Sequence, residues 1–142
     1  MKNTLGILVC IVLLLSSCGE PEGPAAINSA EELAGVWHRT TRTDLGEVYR
    51  QYTEGGIYRM GSSLEELKAQ PRVEGRFWFE GDQIVVQDTF AIPGYDMCVQ
   101  GEKTGKYDVE LLENDHIRFV LIEDECAERG GMLGSSKMER VK

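Results

Sequence analysis

Alternation is the feature that most restricts what this chain can fold into. Tyr107, Val109 and Leu111 fall on one side of a segment whose other side is Lys106, Asp108 and Glu110. That two-residue period belongs to a strand with one buried face. Val73, Phe77 and Phe79 oppose Arg72, Glu74 and Arg76 in the same way. The reading extends to about eight strands: Gly35–Arg42, Glu47–Thr53, Ile57–Met60, Arg72–Phe79, Gln83–Asp88, Gly105–Leu112, His116–Ile122 and Lys137–Val141. Compact turn signals separate many of them, at Asp44-Leu45-Gly46, Glu54-Gly55-Gly56, Glu80-Gly81-Asp82 and Glu113-Asn114-Asp115. Such spacing is typical of sandwiches and barrels. Consecutive strands joined by tight turns point to an up-and-down meander. The fold expected is therefore all-β, a small antiparallel β-barrel of about eight strands. One or two short helices accompany it, because Ser29 with Glu32 and Ser63 with Glu66 stand at capping-box spacing, and Pro71 ends the second. Thr89–Thr104 reads as a long irregular connection.

The first residues carry a different message. Met1-Lys2-Asn3-Thr4 is a short positive stretch, followed by an apolar run from Leu5 to Leu15. About eleven residues are too few for a permanent membrane span, which needs roughly twenty, and fit the core of a secretory signal. The next residues, Leu15-Ser16-Ser17-Cys18, resemble the lipobox of bacterial lipoprotein precursors. That resemblance implies cleavage before Cys18, lipidation of its thiol and acylation of the new amino terminus. Each buried methylene contributes about 0.8 kcal/mol, so two or three acyl chains anchor stably where one does not. Gly19, in place of Asp, favours the outer membrane by the sorting rule of diderm bacteria. The expected organisation is thus a signal peptide over 1–17, a lipidated cysteine and flexible tether over 18–28, and one domain over 29–142. The tether assignment rests on the Pro, Gly and Glu content of Gly19–Asn28. The expected location is the cell envelope, anchored outside the cytoplasm.

The chain carries a net charge of −9, and Lys2 is the only charged residue ahead of Cys18, so the mature form stands at −10. An acidic surface of this kind repels nucleic acid, and no nucleic-acid partner is expected. Cys10 leaves with the signal and Cys18 is lipidated, which leaves Cys98 and Cys126 in a compartment where disulfides persist. Cys98 approaches the hairpin of Gly105–Leu112 and His116–Ile122 at the end by which Cys126 leaves it. A bridge would close a loop of about 28 residues, worth roughly 3–4 kcal/mol. The alternative, a metal site on two thiols, lacks a neighbouring His or further Cys, and no metal or cofactor is expected.

Leu33-Ala34-Gly35-Val36-Trp37 resembles the Gly-x-Trp signature that follows a short helix and opens the first strand of lipocalins. In that family the Trp plugs the closed end of an eight-stranded barrel, and a basic residue near the last strand stacks across it. The resemblance implies Trp37 in the first role and Arg140 in the second, with Arg129 as the next candidate. A second segment, Gly105-Lys106-Tyr107 through Asp124-Glu125-Cys126-Ala127-Glu128-Arg129, is similar to the closing half of small bacterial lipocalin-like domains. There a Cys ahead of the Gly-x-Tyr strand pairs with the Asp-x-Cys-x-x-Arg segment.

No nucleophile elbow, zinc-protease motif or phosphate loop occurs, and the protein is not expected to be an enzyme. His38 and His116 read as surface residues, and Glu123, Asp124, Glu125 and Glu128 as a solvated acidic turn partly balanced by Arg129. Tyr49, Tyr52, Tyr58, Trp78, Arg50, Arg59 and Arg76 lie on strands that do not alternate cleanly. They are the candidates to line a ligand site, with guanidinium and phenol groups on a polar head and Phe77, Phe79 and Ile84 along an apolar throat. Plain core packing, with the guanidinium groups reaching to water, accounts for the same residues and is the favoured alternative. The leading functional expectation is a barrel that binds a small, largely apolar ligand. The runner-up is a structural or interaction module of the envelope, supported by the long Thr89–Thr104 loop.

Overall fold

A computed structural model describes residues 23–142. The expected signal peptide, Cys18 and the first part of the tether lie outside these residues. The chain forms a closed antiparallel barrel of eight strands with one extra strand and three short helices. In chain order these are β1 (Ala25–Ala26), α1 (Ala30–Leu33), β2 (Gly35–Arg39), β3 (Tyr49–Tyr52), β4 (Ile57–Gly61), α2 (Leu64–Ala69), β5 (Val73–Glu80), β6 (Gln83–Ala91), β7 (Thr104–Leu112), β8 (His116–Asp124), α3 (Ala127–Leu133) and β9 (Lys137–Arg140). Strands β2 to β9 pair with their sequence neighbours, and β9 closes on β2 through Trp37 opposite Arg140. This is the meander expected from the turns.

Both serines cap their helices, and each glutamate reaches back to the amide just before its serine, at Asn28 and Ser62. Ser29 Oγ accepts from the Glu32 amide at 3.3 Å and Ser63 Oγ from the Glu66 amide at 3.1 Å. The β7–β8 turn uses left-handed backbone at Asn114 and Asp115, a conformation these short polar residues adopt readily.

The structure departs from the expected elements in three places. The segment read as tether is already part of the fold at its end. Ala25 and Ala26 pair with Leu111 and Glu110, Ile27 donates to the Val109 carbonyl at 2.8 Å, and its side chain is buried. Strand β6 runs on to Ala91, because a bulge between Glu74 and Gly75 re-registers β5 and lets Phe90 and Ala91 keep partners. Helix α3 was not expected at all. Its Gly130-Gly131 pair lowers intrinsic helicity, and burial of Arg129 and Leu133 compensates.

The barrel has two distinct ends. At the first, α1 lies under Trp37, which is fully buried and donates from Nε1 to the Leu33 carbonyl at 2.9 Å. The Arg140 guanidinium lies 4.2 Å from the centre of the Trp37 ring system and donates to the Ala34 and Glu32 carbonyls at 2.6 and 3.2 Å. One cation thus stacks on the indole and satisfies carbonyls at the end of α1. Gly35 is required here, since φ is +138° and an added Cβ would meet Arg140 Nη1 at 2.5 Å. Above this plug the interior is packed with aromatic rings. Tyr52 contacts Phe77 edge-on at 5.4 Å and Phe119 at 6.0 Å, and Tyr107 meets Phe119 edge-on at 6.0 Å. The opposite end is covered by residues 92–103 and by α3. Cys98 in that loop and Cys126 ahead of α3 form the expected disulfide, with Cα atoms 5.4 Å apart.

Candidate functional site

Strand alternation decides which side chains reach the covered end. With Trp37 inside, Arg39 is inside; with Tyr52 inside, Arg50 is inside; Tyr58 and Met60 follow on β4, and Val73 on β5. Of these, Arg50, Tyr58, Met60 and Val73, together with Tyr95, Met97 and Met132 from the cover, bound a cavity of about 450 Å³ at the mouth of the barrel. A smaller recess of about 90 Å³ adjoins it and shares Arg50, Met60, Tyr95 and Met132 with it. Arg39, Glu47, Ser62, Arg72 and Ser136 are the further polar residues that line the recess, with Leu45 and Val48 among its apolar ones.

One wall of the cavity is a buried polar network. Arg129 is 3% exposed and forks onto Asp124, with Nε and Nη2 each 2.8 Å from a carboxylate oxygen. Its Nη1 reaches Asp88 Oδ1 at 3.1 Å, and Nη2 also donates to the Lys103 carbonyl at 3.1 Å. The Tyr58 hydroxyl donates to Asp88 and the Tyr107 hydroxyl to Asp124. Burial alone would lower the Arg129 pKa, but its hydrogen bonds to Asp124 and the charges of Asp88 and Asp124 raise it above that of a free arginine. Burial, then the Asp124 contact, pushes the Tyr107 phenol well above its ordinary value. The network ties β4, β6, β7, β8 and α3 together, and each partner is matched. Asp124 is accordingly no part of a solvated acidic turn: its side chain is 1% exposed. Glu123 remains outside, and Glu125 accepts from Thr104 at 2.7 Å. Nor does Arg129 serve as a partner of Trp37, since it sits at the other end of the barrel.

Arg72 holds the cover from the rim. It forks onto Glu66 at 2.9 and 3.0 Å, and its Nη1 donates to the Tyr95 hydroxyl at 2.8 Å. These Arg72 bonds, with further ones from Ser62, bring Glu66 down to about 2.

The remaining two cations differ from these. Arg39 and Arg50 are each 5% exposed. Among the described residues neither forms an ion pair. Arg39 Nη2 donates to the Gly46 carbonyl at 2.7 Å, but its Nε has no hydrogen-bond partner among the described residues. Arg50 lies beside the buried Tyr52 hydroxyl, which among the described residues makes no hydrogen bond of good geometry. Burial first, then the charges of Arg50 and Arg42, lower the Arg39 pKa. Like charges held together out of water are unfavourable unless an anion joins them.

The expected lining residues divide. Tyr52, Tyr58 and Arg50 are inside, as are Phe77 and Ile84. Tyr49, Arg59, Arg76 and Trp78 are not, and this corrects the reading of β3–β5 as two-sided. Tyr49 stacks on His38 at 4.6 Å; Arg59 pairs with Glu74 at 2.7 Å; Arg76 donates to Gln87 at 2.9 Å; Trp78 donates to Glu80 at 3.1 Å. All four belong to the outer face of strands that alternate strictly. His38 also faces outward, as expected, but it bonds Glu47 and Glu139. Sequence reasoning missed Arg39, Asp88, Tyr95 and the methionines of the cover. Arg39 was within reach, because it stands two residues beyond Trp37 on one strand. Cys98, Cys126 and Glu128 also lie together, but their sulfurs are joined to one another.

Comparison with family models, with curated proteins and with solved structures finds no match to this chain.

Proposed function

We propose that the protein is a membrane-anchored lipoprotein whose lipocalin-like barrel binds a small, largely apolar ligand at its mouth. The observation that carries this reading is the cavity of about 450 Å³ between barrel and cover. Its size falls within the usual range for small-molecule sites, roughly 300–1,000 Å³. Met60, Met97 and Met132 give it a lining that adapts to shape. The Leu15-Ser16-Ser17-Cys18 lipobox supports the anchor. Strand β1 meets the barrel at the Trp37 end, so a lipid at Cys18 would leave the mouth facing away from the bilayer.

A polarity-sensitive fluorophore tests the site. It should bind the exported protein saturably, at one per chain, and Val73→Trp, which fills the cavity, should abolish that binding without unfolding the barrel. Undiminished binding to the filled variant would move the site elsewhere. For the anchor, Cys18→Ser should yield a protein that labelled fatty acid no longer marks; continued labelling would remove the lipobox reading.

The second reading, an envelope interaction module, draws on the rim of the mouth. Phe90 and Met97 are about half exposed there and Met132 about a third. A partner protein bound through these three residues, and lost on Met97→Asp while fluorophore binding persists, would favour it.

A further inference from the structure

We infer that the ligand carries an anionic head, a carboxylate or phosphate, held in the recess between Arg39 and Arg50 while its apolar part occupies the methionine-lined cavity. This inference rests on the ligand-binding reading above and narrows it to a chemical class.

The case begins with charge. The protein as a whole stands at −9, yet two arginines are buried in one recess at the mouth without an ion pair among the described residues. Of the neighbouring carboxylates, Asp88 and Glu47 are bonded to other groups, while Asp44 forms no ion pair among the described residues and Glu47 stands in the wall of the recess. Asp88 accepts from Arg129 and Tyr58, and Glu47 is bonded to His38 and half exposed. The charges of Asp44 and Glu47 only partly offset those of Arg50 and Arg42 at Arg39. A buried guanidinium with a free Nε keeps a donor that no described group meets, and such groups carry a desolvation cost. Folded proteins tolerate this mainly where a bound group supplies the missing acceptor.

Shape agrees with charge. The recess, at about 90 Å³, suits a compact polar group and not a whole ligand of ordinary size. It opens into the larger cavity along Arg50, Met60, Tyr95 and Met132. A ligand lying across both would place its head among Arg39, Arg50 and Ser136 and its apolar part among the methionines. Planar guanidinium groups suit carboxylate and phosphate oxygens, to which they donate in pairs.

The test uses the exported chain with Cys18→Ser, so that no acyl groups compete. Three probes are titrated by calorimetry: a straight-chain carboxylate of about ten carbons, the alcohol of equal length, and inorganic phosphate. The carboxylate should bind at least tenfold more tightly than the alcohol. Arg50→Met should erase that preference while leaving the affinity for the alcohol within about threefold. Phosphate alone, if bound at Arg39 and Arg50, would identify a free anion as the ligand; an alkyl phosphate bound far more tightly than phosphate would point to an amphiphile. Equal binding of alcohol and carboxylate would overturn the anionic head but leave the ligand site standing. Binding of none of these probes would overturn the anionic class, whereas the fluorophore result judges the site itself. Without ligand, Arg39→Met and Arg50→Met should each raise the melting temperature, since each removes an unmatched buried charge. A fall for both, with the carboxylate preference intact, would mean that the two arginines are structural.

Discussion

The two ends of the barrel use arginine in opposite ways. At the Trp37 end, Arg140 is well matched: an aromatic face lies 4.2 Å from it and two carbonyls accept its protons. At the mouth, Arg39 and Arg50 are at least as deeply buried, but among the described residues they form no ion pair, and they stand beside a cavity. The first arrangement stabilises the closed fold. The second sacrifices stability at one place, the usual mark of a site shaped for something other than folding. Arg129, near the same mouth, shows that the fold can satisfy a buried guanidinium there, through Asp88 and Asp124. The contrast is therefore specific to Arg39 and Arg50.

The sharpest way to break this contrast is to remove the plug. Trp37→Ala should cost about 3–5 kcal/mol in denaturant unfolding, as for other buried large aromatics. A loss under about 1 kcal/mol would mean that the Trp37 end is no more committed to stability than the mouth. Next in size is the bridge across the cover. Replacing both Cys98 and Cys126 by Ala opens a loop with a separation of 28 residues and should cost about 3–4 kcal/mol. The same change should speed release of a bound fluorophore, because it unties the loop from α3; an unchanged release rate would show that the cover is held without it. Arg140→Ala should cost about 2 kcal/mol, from the lost stacking and carbonyl contacts together. It should leave fluorophore binding unchanged, whereas Arg50→Met should not destabilise.

Most of this architecture was legible in the sequence, for physical reasons that differ by region. Strand alternation and left-handed or glycine turns are local properties, so the meander could be read residue by residue. The Trp37–Arg140 pair and the Cys98–Cys126 bridge followed from short motifs whose chemistry is specific. The mouth was harder. Helix α3 is held by the burial of Arg129 and Leu133, and its Gly130-Gly131 pair obscures it. The partners of Asp88 and Asp124 come from strands far apart in the chain and meet only once the barrel closes. Tyr49, Arg59, Arg76 and Trp78 looked interesting as residue types, but alternation counted from Trp37 and Tyr52 puts Arg39 inside and, of the candidate arginines, only Arg50.

A smaller effect concerns the clamp between rim and cover. The Glu66 pKa lies at about 2 in the folded chain against an ordinary 4.5, so its contribution is present above about pH 4.5 and is lost as pH falls toward 2. Glu66→Gln should therefore lower stability at neutral pH and flatten acid-dependent unfolding within that window. An identical acid profile in both proteins would show that the Arg72 clamp does not couple to folding.

The most direct measurement is a crystal structure of the protein soaked with a straight-chain carboxylate carrying a terminal bromine. The anomalous signal should lie among Met60, Met97 and Met132, with the carboxylate within hydrogen-bond distance of Arg39 and Arg50. A bromine found only on the outer face, with the mouth unchanged and no density at the two arginines, would contradict the assignment of the mouth as the ligand site.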